Sequence, residues 1–126
     1  MIAADTSSII AFLQGDEGDD VTLLANAIED CQLVIPPPVI TEILSDPKLP
    51  KGIANVLVAL PQPELLPDYW ARAGRTRSTL IKKKLKARLA DTMIAQVCID
   101  HKLPLVTRDK DFRHFAKYCE LRLITQ

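Results

Sequence analysis

The feature that most constrains this chain is its rhythm: short, continuously apolar runs recur between segments long enough for two or more helical turns. Residues 2–4, 33–35, 105–107 and 121–124 read as strands without polar alternation, the pattern of strands covered on both faces in a parallel sheet. Leu65 and Leu66 add a brief fifth strand. Between them, apolar residues fall at helical spacing: Ile9, Ile10 and Leu13; Leu23, Leu24, Ala27 and Ile28; Val39, Ile40, Ile43 and Leu44; and Ala90, Met93, Ile94, Val97 and Cys98. The last of these is the clearest amphipathic stripe in the chain. The alternation predicts an α/β domain, with residues 1–126 forming one unit.

Punctuation agrees with that reading. Thr6, Ser7 and Ser8 offer N-cap hydroxyls after the first strand, and GDEGDD reads as a loop. Pro36, Pro37 and Pro38 stop the second strand and allow a helix to begin on the last of them. The apolar segment IANVLVAL between Pro50 and Pro61 is short enough to suit helix or strand, and the reading favours helix. A chain of 126 residues that is 48% hydrophobic can bury a core without a metal or disulfide staple. Cys31, Cys98 and Cys119 form no metal-ligand or disulfide pattern and are expected to be small buried hydrophobes. No apolar run approaches the ~20 residues of a membrane span, and Asp5 interrupts the apolar opening, so a soluble cytoplasmic protein is expected.

The formal net charge of zero conceals a division. Residues 1–71 hold eleven acids and two bases, whereas residues 72–126 hold five acids and fourteen bases. The halves are therefore −9 and +9. The densest part is 72–88, with eight bases and no acid, which implies an anionic partner for that half.

In parallel α/β sheets, sites form beyond the carboxyl ends of the strands. Asp5 and Asp109 both follow predicted strands there, and Glu42, Asp91 and Asp111 complete a set of acids that only the tertiary fold could gather. Singly, each has a structural explanation: a cap, a solvated side chain, a dipole partner, a turn. Gathered, carboxylates must hold protons or bind a cation, and an all-oxygen donor set suits Mg²⁺ or Mn²⁺, with phosphate as the companion ligand.

The segments ADTSSII around Asp5, PPVITEIL around Glu42 and RLADTMIAQVCIDHKLPLVTRDKDF around Asp91 to Asp111 resemble, in order and spacing, the PIN domains, and within them the VapC-type toxins of toxin–antitoxin pairs. The resemblance spans essentially the whole chain. It implies a three-layer α/β/α fold with a central, mainly parallel sheet of about five strands, and a metal-dependent endoribonuclease. It carries the family's acids onto Asp5, Glu42 and Asp91, with Asp109 preferred as the fourth and Asp111 supporting or sharing the metal. Thr6 and Thr107 stand beside these acids as orienting hydroxyls. The implied cofactor is Mg²⁺ or Mn²⁺. The implied partners are substrate RNA, a cognate antitoxin covering an apolar and basic groove, and a second copy of the chain, through residues between 23 and 60. An RNA-processing nuclease outside a toxin pair and a non-catalytic interaction module are the alternatives.

Lys82, Lys83, Lys84, Lys86 and Arg88 lead toward Asp91 and are the expected RNA-phosphate contacts; a solvated helix face is the competing explanation. Tyr69, Trp70 and the phenylalanines are expected in core or interface. His101 and His114 have no metal-ligand spacing. A phosphatase using Asp5 as nucleophile would place a second Asp where Ser7 stands. A phosphorelay receiver would carry an acidic pair after the first strand and a late Lys-Pro, and neither is present.

Overall fold

The computed structural model describes residues 1–124. The elements, in chain order, are β1 (Ile2–Ala4), α1 (Thr6–Leu13), α2 (Asp19–Glu29), β2 (Leu33–Val34), α3 (Pro37–Leu44), α4 (Lys51–Ala59), α5 (Tyr69–Lys82), α6 (Leu89–Asp100), β3 (Leu105–Val106) and α7 (Phe112–Tyr118). The strands form a parallel sheet in the order β2-β1-β3, with Ile2 opposite Leu33 and Ala4 opposite Val106. Successive strand residues point to opposite faces. Ala3 and Ala4 are both 0% exposed, so both faces of the central strand are covered and the domain is layered α/β/α.

Among the described residues the sheet has three strands, fewer than the five or so expected. Residues 121–124 contribute only an isolated parallel bridge, Leu105 to Leu123, held by Leu105 N–H to the Arg122 carbonyl and Ile124 N–H to the Leu105 carbonyl. Leu65 and Leu66 form no strand. They lie in PQPELLP, where prolines remove the donors a ladder needs, and the backbone donor of Ile35 is instead taken by the Pro61 carbonyl at 2.9 Å.

IANVLVAL is helical, as α4. The helix α6 is buried on more than the expected stripe, because α3, α5 and α7 all pack on it. Thr92, Ala95 and Gln96 are buried together with Ile94, Val97 and Cys98. Its polar residues therefore need internal partners: Thr92 donates to the Arg88 carbonyl, and Gln96 accepts from Thr76 while donating to Asp100. Two expectations are corrected. Ile10 and Leu44, on the apolar stripes of α1 and α3, are 41% and 40% exposed. Cys31 is exposed, in a left-handed turn with φ of 55°. Trp70, expected in core or interface, lies outside the core, exposed on α5 beside the buried Tyr69 ring.

Candidate active site

The order β2-β1-β3 places the strand-order reversal beside β1, so the carboxyl ends of β1 and β3 open onto one crevice. Asp5 leaves β1 there as the N-cap of α1, accepting from the backbone N–H of Ser8 at 3.1 Å. The cap is thus Asp5 itself rather than one of the hydroxyl residues following it. Its carboxylate also accepts from the Ser7 hydroxyl, at 2.8 and 3.0 Å to its two oxygens, and from the Thr107 hydroxyl at 2.6 Å. Asp5 is only 3% exposed. Burial pushes its carboxyl above the usual carboxylate range, the three hydrogen-bond donors pull it back, and the nearby Asp109 adds to the rise.

Asp91, Asp109 and Asp111 form a tight triad, with one carboxylate oxygen from each lying within 4.8 Å of the others. Asp91 projects from the first turn of α6. Asp109 and Asp111 lie in the turn leading from β3 into α7, where the Asp111 N–H donates to Asp109 Oδ1 at 2.9 Å. The Asp91 carboxyl is pushed up to about 6, first by desolvation, then by the negative charge of Asp109, with Glu42 and Asp111 adding to it and Arg88 opposing it. Asp91 Oδ2 is buried and has no hydrogen-bond partner among the described residues. A partly buried carboxylate among other carboxylates, with an orphaned oxygen, fits a hard divalent cation.

Asp5 and Glu42 stand outside the triad but within its field. Glu42 is exposed on α3, where Oε1 accepts from the Thr6 hydroxyl at 2.7 Å. Thr107 serves two acids, donating to Asp5 and accepting the Asp109 N–H at 2.9 Å. Of the basic run, Lys86 pairs with Asp111 at 3.0 Å and Arg88 acts electrostatically on Asp91. Lys82, Lys83 and Lys84 are exposed at the end of α5, and Lys83 lies over the Tyr118 ring.

Two supports are absent from the sequence reading. One is Ser7, read there only as a potential cap. The other is a buried Asp20, gripped by Arg108 through Nε to Oδ2 at 2.6 Å and Nη2 to Oδ1 at 3.0 Å. Arg108 Nη2 also donates to the Glu17 carbonyl, so the strand end carrying the site is clamped to the start of α2. Gly18 makes room for this clamp. Its φ is +148°, and a Cβ there would stand 2.6 Å from Asp20 Oδ1 and 2.7 Å from Arg108 Nη2. The only sequence signal was a Gly two residues before an acid at a helix start.

A family model described as PIN domain matches residues 2–118. No curated protein matches the chain in sequence. Among solved structures, the chain is similar to VapBC2 from Rickettsia felis bound to a DNA fragment from their promoter, at 19% identity and a TM-score of 0.76, covering 100% of this chain and 99% of that one. It is similar to FitAcB from Neisseria gonorrhoeae at 20% identity and 0.71, covering 99% and 97%. It is also similar to VapBC-5 of Mycobacterium tuberculosis, a member of the VapBC family of toxin-antitoxin systems, at 18% and 0.67, covering 99% and 98%. At these identities the likeness is one of fold.

Proposed function

The chain belongs to the PIN domain family, and from that premise we propose that it is a divalent-metal-dependent endoribonuclease, hydrolysing RNA phosphodiester bonds at the acid cluster. The observation that carries this reading is Asp91: its Oδ2 is buried without a partner among the described residues, and its carboxyl is raised to about 6 beside Asp109, Glu42 and Asp111. That arrangement costs stability unless a cation occupies it. Asp5, Glu42, Asp91 and Asp109 would hold Mg²⁺ or Mn²⁺, with Asp111 sharing the ion while tethered to Lys86. When bound, the cation supplies Lewis acidity toward water and phosphate oxygens.

The chain's own groups prepare that chemistry. Ser7, Ser8 and Thr107 fix the Asp5 carboxylate before substrate arrives, so no reorientation is needed in the reaction. Thr6 does the same for Glu42. Lys86 and Arg88 offset the acids and allow a phosphate to approach, and Lys82, Lys83 and Lys84 extend the contact along the RNA backbone.

The chain acts, on this reading, as the toxin of a type II pair in the cytoplasm, with residues 1–126 working as a single unit. The likeness to VapBC-5 supports an antitoxin partner, and so does the surface. An apolar cleft of about 430 Å³, lined by Phe12, Ile28, Val56 and Leu60 among others, shares Leu13, Pro50 and Ile53 with a smaller cleft that reaches Glu42. An antitoxin segment could bury apolar side chains in the first and extend a basic one toward the acids. Self-association into a homodimer is expected through residues between 23 and 60, where Val58 is exposed on α4. No helix among the described residues is long and apolar enough to cross a membrane.

The test is incubation of a mixed RNA pool with purified protein and Mg²⁺ or Mn²⁺, beside an EDTA control. Cleavage that EDTA abolishes is the expected result. Intact RNA with folded, metal-loaded protein would instead support a non-catalytic interaction module.

A further inference from the structure

Tyr118 ends α7 on the surface, 39% exposed, with two ammonium groups over its ring. Lys83 Nζ lies 4.7 Å from the centroid and Lys117 Nζ 5.3 Å. The same ring borders a cleft of about 400 Å³, walled by Arg75, Thr76 and Thr79 of α5 and by Glu120. Arg75 has no ion pair among the described residues, whereas its helix neighbour Arg72 is paired with Asp100.

The loop 83–88 connects this cleft with the acid cluster. Lys83 sits at the C-terminal end of α7, on Tyr118, and Lys86 at its N-terminal end, on Asp111. The loop therefore follows α7 in the reverse direction. With seven residues in α7, the two contacts are about 10 Å apart along its axis.

We infer that the Tyr118 cleft is an accessory site for single-stranded RNA: a nucleobase stacks on the Tyr118 ring, and the attached backbone follows Lys83 to Lys86 toward the acids. A surface aromatic ring with cations lying over it is a combination that binds single strands, the ring taking the base in place of the ammonium groups and these moving to the phosphates. Around the ring and its cleft, Arg75, Lys83 and Lys117 outnumber the one acid, Glu120, so the local charge favours a polyanion. The lysine contacts on an exposed ring are weak and exchange readily for a stacked base. The inference rests on the ribonuclease reading and deepens it, because it gives the enzyme a handle on RNA beyond the scissile phosphate.

The experiment measures fluorescence anisotropy of labelled single-stranded RNA, a decamer and a trimer, with Asp5→Asn protein, so that the probe is not cut. The decamer is expected to bind more tightly than the trimer. Adding Tyr118→Ala should weaken decamer binding about 10-fold and erase the length advantage, while Tyr118→Phe, which keeps the ring, should retain it. Circular dichroism of each variant verifies folding. Equal decamer affinity with and without Tyr118→Ala would overturn the accessory site and leave the cleft to a protein ligand. Loss of affinity in Tyr118→Phe as large as in Tyr118→Ala would overturn stacking. If wild-type protein cleaves RNA while Tyr118→Ala leaves decamer binding intact, only the accessory site fails; if wild-type protein neither binds nor cleaves RNA, the ribonuclease reading fails with it.

Discussion

The Thr107 hydroxyl donates to Asp5 Oδ2 at 2.6 Å, tying the end of β3 to the end of β1 across the crevice. Thr107 Oγ1 in turn accepts the Asp109 N–H at 2.9 Å, so one hydroxyl orients two of the acids. Thr107→Val keeps the shape and removes both interactions. It should lower stability by about 1–3 kcal/mol and cleavage by about 10–100-fold, and Thr107→Ser should recover most of both. Thermal melts and initial cleavage rates on the three proteins check this.

Asp91 is held at a cost. Removing its charge with Asp91→Asn should stabilise the metal-free protein by about 1 kcal/mol, a rise of roughly 4 °C in Tm for a domain of this size. Added Mn²⁺ should raise the Tm of the wild-type protein by mass action and leave the variant nearly unmoved. Calorimetric titration with Mn²⁺ reads the same difference as heat.

Gly18 is favoured for a local reason. Its φ is positive, and a methyl group on its Cα would stand 2.6 Å from Asp20 and 2.7 Å from Arg108. Gly18→Ala should therefore loosen the clamp and cost about 1–3 kcal/mol. Urea titration measures it. Gly15, with open space around it, should tolerate Ala better, at the cost of its own positive φ alone.

The Asp20–Arg108 pair sets an acid limit. The Arg108 guanidinium holds the Asp20 carboxyl below its ordinary value of 3.8. A carboxyl depressed in the folded state favours folding above its unfolded pKa, and that contribution fades as pH falls through the folded pKa. The pair should therefore stabilise fully at neutral pH and fade below about pH 4. Asp20→Asn should flatten this part of the stability profile, measured by urea midpoints from pH 2 to 6, and lower neutral stability by about 1–3 kcal/mol.

What the sequence disclosed follows from how local each signal is. The strands around Ala3, Val34 and Val106 are short and uniformly apolar, so their burial was readable from composition, and their ends located Asp5 and the segment carrying Asp109. Leu65 and Leu66 misled because an apolar pair says nothing of whether neighbouring prolines leave donors for a ladder. The burial of Thr92 and Gln96 on α6 was hidden because it depends on three other helices packing there. Among site residues, Thr107 was marked by adjacency to an acid in the chain. Arg108 and Asp20, 88 residues apart, meet only in the folded molecule, and the clamp they form had no local signature beyond Gly18.

If the carboxylates of Asp5, Glu42, Asp91 and Asp109 hold a divalent cation that cleaves RNA, loss of any one of their charges should slow cleavage. Asp5 is the most direct position to test, since Asp5→Asn preserves an acceptor for the Ser8 N–H and the cap of α1 while removing the charge. The measurement is the rate at which wild-type and Asp5→Asn proteins, matched in circular dichroism, cut the same RNA in Mn²⁺. Metal-dependent cutting by the wild type and a loss of at least about 100-fold in the variant are expected. Cutting by Asp5→Asn at the wild-type rate would rule out this metal-ligand role for Asp5.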